Sequence, residues 1–466
     1  MNGLTHSRLR ACLAAVALLV FAAPAGVAMA QALASAPAHT VAQAPRPITL
    51  LEALTLAVQN NHGLRAAAFE VTVARAQLAQ AEAFKRGLLT GSASYTRINE
   101  RSGGTITIPP IPGITPSPVT ITLPPPDPNI YSVGVVYQFP LYSGGRFDWQ
   151  IALAQANVRG AEAALERAKQ HLVLDVRQAY FQMLLAQAGV EVAQRTVTSA
   201  EENLRLARAR VAAGASPRFD EVQAEVTLAN ARQSLIRARN GLALAQHGLN
   251  TLLALPQDTA LAPRETMTAV PLRTGLEALI RRALENRPEL VEHRARLAAA
   301  QAAVEVARAG LRPLVVVQGG PTYGNASGTG GAPTPSAGWS VTLLATLTLS
   351  DGNQTAERIR EAEARVAQLR EAEAQLRQAV ELEVRRAVLN HAASAEELAA
   401  ADKIIEQAQE QLRIASVRFA AGVSTNFEVI TALAAVSQAE ANRIQALFNL
   451  NVARAQLERA VGGGVE

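Results

Sequence analysis

Two short turns carry the residues of this chain best suited to charge chemistry. Residues 210 to 222 read RVAAGASPRFDEV and residues 418 to 430 read RFAAGVSTNFEVI. Each sets an arginine (Arg210, Arg418) before a glycine (Gly214, Gly422), then a phenylalanine and an acid (Asp220, Glu428) after it, and the two glycines lie 208 positions apart. At that spacing the first chemistry to consider is capping of a helix-turn-helix. The glycines suit the left-handed position that ends a helix, Ser216 and Ser424 can cap the helix that follows, and Pro217 fits its first position. Thr425 with Glu428 three places later reads equally as a capping box. Arg210 and Arg418 would favour the negative end of a helix, or could bridge to acids.

No other constellation competes with these turns. His39, His62, His171, His247, His293 and His391 are dispersed and never at metal-ligand spacing with one another, and no P-loop, GxSxG or HExxH occurs. The only methionines beyond residue 30 are Met183 and Met267, so no methionine relay for soft metals is apparent. The sole cysteine is Cys12. Neither an enzyme nor a cofactor nor a metal centre is expected from these residues.

The N-terminus explains where Cys12 belongs. Arg8 and Arg10 precede the apolar stretch ACLAAVALLVFAAPAGVAMA, which ends in Ala28-Met29-Ala30 before Gln31. That is the plan of a secretory signal peptide over residues 1–30, and Pro24 and Gly26 argue against a membrane anchor. The remaining chain is cysteine-free, with no disulfide to expect. Its net positive charge is small, and its cations are arginines scattered among glutamates along helical stretches. Without a basic run or interleaved aromatics, no nucleic-acid partner is expected.

Hydrophobic residues make up 49% of the 466-residue chain but aromatics only 4%, and much of the apolar content is Ala, Leu and Val. Long, closely packed helices use such a composition. The elements also come twice. LEALTLAVQNN (51–61) returns as LEALIRRALEN (276–286), YSVGVVYQFPLYSGGR (131–146) as WSVTLLATLTLSDGN (339–353), and NLRLARARVAAG (203–214) as QLRIASVRFAAG (411–422). The order is kept, so the chain reads as a duplication: a first repeat at 48–254 and a second at 276–462. A proline-bearing linker at 255–275 would join them, with an N-terminal extension at 31–47 and a tail at 463–466. Each repeat predicts helix, β-hairpin, very long helix, tight turn and long helix. The first helix is expected over about 49–85, and the one starting near Gly145 meets no proline before Pro217, a reach of roughly 100 Å.

The strands narrow the class further. Hairpins are expected at about 88–141 and 311–350. In the first, Tyr131, Val133, Val135, Tyr137 and Phe139 share one face and Ser132, Gly134 and Gln138 the other; in the second, Trp339, Val341, Leu343 and Leu347 alternate with Ser340, Thr342 and Thr346. Alternation over about ten residues with aromatics near the ends matches a transmembrane β-strand, whose apolar face would meet membrane lipid. A half-buried strand of a soluble sheet is the alternative. Residues 102–129 are long and proline-rich, and their composition predicts a solvent-exposed excursion without regular ladders. Four strands cannot close a barrel and open edges do not survive in lipid, so a membrane-spanning chain must oligomerise.

With those features together, the chain resembles the TolC outer-membrane efflux family from about residue 48 to 462. Pro140-Leu141-Tyr142-Ser143-Gly144-Gly145-Arg146 matches the family pattern PL[FY]xGGR, and Arg418-Phe419-Ala420-Ala421-Gly422-Val423-Ser424 matches R[FY]xxG[VA]S. The second copy of the first pattern departs, with Ser350-Asp351-Gly352-Asn353. The resemblance implies a mainly α fold with a membrane β-barrel portion: a homotrimer with a periplasmic α-helical barrel and one shared twelve-stranded β-barrel. It implies the exit duct of a tripartite efflux or type I secretion system, working with a periplasmic adaptor and an inner-membrane transporter. It places Asp220 and Glu428 at a pore-entrance constriction, where a trimer would turn each into a ring of carboxylates favouring cations. It makes Arg210, Val211, Arg418 and Phe419 the gate region, although Val211 and Phe419 stand where relatives have a tyrosine. Ala213, Gly214, Ala215 and Ser216, with Ala421, Gly422, Val423 and Ser424, become the hinges and the adaptor-docking tips. A periplasmic adaptor or a structural coiled coil of the envelope is the rival reading; the duplicated hairpins argue against both.

Overall fold

The computed structural model describes residues 46–99, 103–122, 128–325 and 335–463. The expected signal peptide, the extension up to residue 45 and the last three residues of the tail lie outside the described residues. The first half runs β1 (Arg46–Ile48), α1 (Leu50–Asn60), α2 (His62–Ala83), β2 (Leu88–Arg97), β3 (Thr105–Ile108), β4 (Val119–Thr122), β5 (Asn129–Tyr142), α3 (Arg146–Ala212) and α4 (Arg218–Leu253). After β6 (Leu261–Pro263) the second half runs α5 (Leu276–Asn286), α6 (Pro288–Arg308), β7 (Leu314–Gly324), β8 (Ser336–Thr346), α7 (Gln354–Ala420) and α8 (Asn426–Val461). The long helices α3 and α7 each have 67 residues, and their partners α4 and α8 each have 36. At 1.5 Å per residue the longer pair spans roughly 100 Å.

The single helix expected over 49–85 is two helices, broken at Asn61. The first starts in a full capping box: the Thr49 side chain accepts from the Glu52 amide at 3.2 Å while the Glu52 carboxylate accepts from the Thr49 amide at 2.9 Å. Asn61 then ends α1 and caps α2, its Oδ1 accepting from the Leu64 amide at 3.1 Å and its Nδ2 donating to the Leu252 carbonyl at 3.0 Å. A side chain that bonds both its own backbone and a neighbouring helix outweighs continuous helix propensity. The second half breaks at the equivalent place, where Arg287 precedes Pro288 at the first position of α6.

Strands β2, β5, β7 and β8 form one antiparallel sheet in that order, with β2 and β8 at its open edges. The register pairs Tyr137 with Leu89 and with Gly319, which faces Val341. Phe139 pairs with Val317, which faces Leu343. Directly opposed residues share a face, so Leu89, Tyr137, Phe139, Val317, Val341 and Leu343 fall on one side, and Thr90, Ser132, Gln138, Gln318 and Thr342 on the other, together with Leu88, Val136, Val316 and Leu344. Leu347 lies just beyond β8, which ends at Thr346, so the hairpin expected to 350 is shorter.

One further expectation is corrected. Residues 102–129 are not free of ladders: β3 and β4 pair antiparallel, Thr105 with Thr122 through Ile108 with Val119. Proline excludes ladder positions only where it sits, and the runs TITI and VTIT contain none. Within the 255–275 segment, β6 pairs in parallel with β1.

Each half holds its own core where its short helix meets its long pair. In the first, Leu172, Val176, Tyr180 and Met183 of α3 pack with Ala53, Ala57, Leu249, Leu253, Ile48 and Leu261, and the Tyr180 hydroxyl donates to the Ile48 carbonyl at 3.2 Å. In the second, Val380, Val384 and Ala387 of α7 meet Leu279, Ala283, Leu290, Leu457 and Val461. Among the described residues no helix is long and apolar enough to cross a membrane.

Candidate functional site

Both turns that opened the sequence analysis are built alike. Helix α3 ends with Gly214 at φ +70°, and the amide of Ala215 reaches back to the Arg210 carbonyl at 2.8 Å. Helix α7 ends with Gly422 at φ +77°, and the amide of Val423 reaches the Arg418 carbonyl at 3.1 Å. Only glycine takes that conformation without strain. The Gly-Ala and Gly-Val pairs therefore close the hairpins through backbone alone.

The capping roles foreseen for the side chains do not form. Pro217 and Thr425 themselves occupy the N-cap positions of α4 and α8, with no side-chain cap at either. The Ser424 hydroxyl donates to the Thr425 carbonyl at 3.4 Å instead of accepting from an amide. Glu428 is not in a capping box: its amide meets the Thr425 carbonyl at 3.2 Å, while its carboxylate lies 3.6 Å from Arg418 across the hairpin. With the backbone already closed, the acid is left to the arginine opposite.

The two tips are bound to each other by two different links. The Arg210 guanidinium sits 4.5 Å from the centre of the Phe419 ring and also donates to the Phe419 carbonyl. Phe419 is only 2% exposed, packed with Ala415, Val429 and Ala432 and against Leu206 of the first hairpin. Asn426, fully buried, donates from Nδ2 to the Asp220 carbonyl at 3.3 Å. Thus the structure brings Arg210 to Phe419 and Arg418 to Glu428, ties Asp220 in only through its carbonyl to Asn426, and places Val211 in the last turn of α3, its carbonyl accepting from Gly214. Arg210 bridges to a carbonyl and a ring, not to an acid as one sequence reading allowed.

Outside these links the tip residues are open. Ala213, Gly214, Ala215, Ala421, Gly422 and Val423 are exposed, and Ser216 and Ser424 half-buried. Sequence reasoning missed three tip residues. Phe219 and Phe427 stand out of the first turns of α4 and α8 at 69% and 61% exposure, and Asn426 forms the second link. The signal for the phenylalanines was their repetition five places after each glycine. An open groove of about 750 Å³ lies beside Phe427, with Glu406, Glu410, Arg418 and Glu428 among its walls.

A second cluster, absent from the sequence reading, joins the halves at mid-helix. Buried Arg287 donates to the Ala460 carbonyl at 2.7 Å and to Glu383 at 2.6 Å. Arg459 reaches Glu383 at 3.0 Å, Glu289 at 3.3 Å and His171 Nε2 at 3.1 Å. Arginine can only donate, so that imidazole nitrogen must be the acceptor. Burial, then the neighbouring Arg459 charge, holds His171 below its ordinary value. Burial works against the Glu383 charge, but the bond from Arg287 and the charges of Arg287 and Arg459 prevail and lower it. Nothing in the local sequence marks these residues, which come from four helices.

At the sheet, Val133, Val135, Tyr137, Trp339, Val341, Leu343 and Leu347 are exposed, and Tyr131 and Phe139 half-buried. The rings of Tyr131 and Tyr323 lie 6.2 Å apart across the β5–β7 pair.

Comparison with known proteins places the whole arrangement. The family description "Outer membrane efflux protein" matches residues 53–255 and 279–463. The chain is 25% identical over 343 residues to Nodulation protein T of Rhizobium leguminosarum bv. viciae, covering 72% of this chain and 70% of that protein. It is 24% identical over 416 residues to the cation efflux system protein CusC of Escherichia coli strain K12, covering 88% of this chain and 85% of that one. A solved membrane protein from Pseudomonas aeruginosa shares the fold at a TM-score of 0.73 and 24% identity, over 89% of this chain and 93% of that one.

Proposed function

The chain belongs to the outer membrane efflux protein family, and from that premise we propose how this member is closed, docked and seated in its membrane. It is an outer-membrane exit duct of tripartite efflux systems, a passive conduit and not an enzyme, with its helical part in the periplasm. The two repeats, 48–254 and 276–462, each supply one hairpin of strands and one helical hairpin to a homotrimer. Strands β2 and β8 then pair with neighbouring copies, which removes the open edges that lipid does not tolerate. The side bearing Tyr131, Val133, Val135, Tyr137, Phe139, Trp339, Val341 and Leu343 faces lipid, and Leu347 lies at its margin.

The helical tips form the entrance. The observation that carries this reading is the double link between hairpins, Arg210 on Phe419 and Asn426 on Asp220. It holds the two tips of one copy together at the level of the acids. Opening requires the links to part. Asp220 and Glu428 form the acidic constriction, with Arg418 partly offsetting Glu428 across its hairpin. Ala213–Ser216 and Ala421–Ser424, exposed except for the half-buried serines, take a periplasmic adaptor, which couples the duct to an inner-membrane transporter.

Single-channel recording in a planar bilayer tests this. A small cation-selective current in the unmodified protein, losing selectivity in the double variant Asp220→Ala, Glu428→Ala, is the expected result. Selectivity unchanged by both substitutions would remove the acids from the constriction.

A further inference from the structure

The β3–β4 ribbon has a chemistry that the duct does not use. Its register puts Ile106 opposite Ile121 and Ile108 opposite Val119 on one face, since the pairs one step away, Thr105 with Thr122 and Thr107 with Thr120, point to the other. All four apolar residues are exposed, and so are Ile111 and Ile114 in the connecting turn, Ile114 at 77%. From residue 102 to 126 the sequence contains no charged side chain. Prolines at 109, 110, 112, 116 and 118 stiffen the turn. An isolated two-stranded ribbon is marginal in water, and a contiguous apolar face marks an interaction site.

We propose that this apolar face is a self-association surface, packing against the same face of the other two copies to cap the outer mouth of the duct. The proposal rests on the trimeric duct reading. Position, chemistry and reach select this occupant. The ribbon leaves the sheet at the ends of β2 and β5 remote from the helices, hence on the side away from the periplasm. Strand β2 is an open edge of the sheet, the edge that the trimeric duct joins to a neighbouring copy, so the ribbon follows an inter-copy seam. A partner recognised by charge would find none here, whereas three identical uncharged isoleucine faces around one axis complement one another. A closed sheet of twelve strands spaced ~4.8 Å and tilted ~40° has a radius of roughly 12 Å. The four-residue ladder alone spans about 13 Å, so each ribbon is long enough to meet the others at the axis.

Cysteine cross-linking tests the contact. Cys12 is the only cysteine of the sequence, so Cys12→Ser gives a clean background. In outer-membrane preparations of the full chain carrying Ile108→Cys, a short bis-maleimide should produce covalent dimers on a denaturing gel. Thr107→Cys, on the other face of the ribbon, should take up a single maleimide yet remain monomeric. If Ile108→Cys is labelled but never cross-linked while unheated gels show the intact oligomer, the ribbons do not meet and the cap is overturned with the duct left standing. Cross-linking of Ile108→Cys to lipid by a photoreactive maleimide would overturn it in favour of the membrane surface. Absence of the oligomer on unheated gels would overturn the trimeric duct and the cap together.

Discussion

Arg210, in the last turn of α3 at the tip of the first helical hairpin, lies over the ring of Phe419 in the second and donates to its carbonyl. One side chain thereby engages both the face and the backbone of a residue 209 positions away. A cation over an aromatic face contributes about 0.5–2 kcal/mol, and a hydrogen bond from a charged donor about 1.5–3 kcal/mol.

Replacing that arginine should therefore loosen the entrance. Arg210→Ala is expected to raise open probability or unitary current in planar bilayers, and Arg210→Lys to fall between the two because lysine keeps charge without the planar fork. An unaltered current in Arg210→Ala would dissociate this link from closure.

Phe419→Ala should act on local stability. Truncating a buried phenylalanine costs about 3–5 kcal/mol, and here the loss falls on one end of a very long hairpin. Amide hydrogen exchange should accelerate at the ends of α7 and α8 while the mid-helix cores stay protected. Uniform acceleration along the helices would show that the tip is not an independent unit.

The mid-helix cluster should be acid-sensitive. His171 is held below its ordinary value of 6.5, chiefly by burial and then by Arg459. The folded state thus favours the neutral ring, and the unfolded chain takes its proton first. Stability from this site is intact above the unfolded value and declines as pH falls from there through the folded one. Glu383, held below 4.5 with Arg287 and Arg459 outweighing burial, adds a second loss at lower pH. Thermal midpoints should drop between pH 7.5 and 5.5, and less so in His171→Gln. His391, also lowered by burial and then Arg454, keeps part of the dependence in that variant. A wild-type midpoint flat across this range would refute the assignment.

Glu383→Ala should be costly in a different way. It leaves buried Arg287 and half-buried Arg459 without their shared carboxylate. Breaking one partner of a buried ion pair costs about 3–5 kcal/mol, an upper bound here because Glu383 itself is partly exposed. Calorimetry at neutral pH measures it.

The face assignment of β8 predicts an asymmetry between neighbours. Val341→Arg on the apolar face should cost about 2–4 kcal/mol if that residue lies at mid-membrane and should reduce oligomer on unheated gels. Thr342→Arg, on the other face, should assemble normally. Equal assembly of both would contradict the orientation.

Much of this molecule was legible from residue order. The doubled plan, the long helices, the hinge glycines and the strand faces are local or periodic properties, repeated at fixed offsets, and each reappears in the structure. The helix break at Asn61 was not, because it depends on a bond from Asn61 to Leu252 in another helix. The β3–β4 ladder escaped because overall proline content concealed two proline-free runs. At the tips, Thr425 and Glu428 have capping-box spacing, yet the acid turned to Arg418, since the turn had already closed through backbone and an arginine was within reach across the hairpin.

By itself, then, the sequence determined which elements exist and which faces they present, since backbone conformation and periodic burial are encoded within a few turns or strand residues. Which side chains meet was decided only by tertiary structure. Arg210 and Phe419, like Arg287, Glu383 and Arg459, are brought within bonding distance by helices that lie side by side although these residues are far apart along the chain. A hydrogen bond or ion pair acts over a few ångströms, and no spacing along the chain states which distant helix will supply the partner.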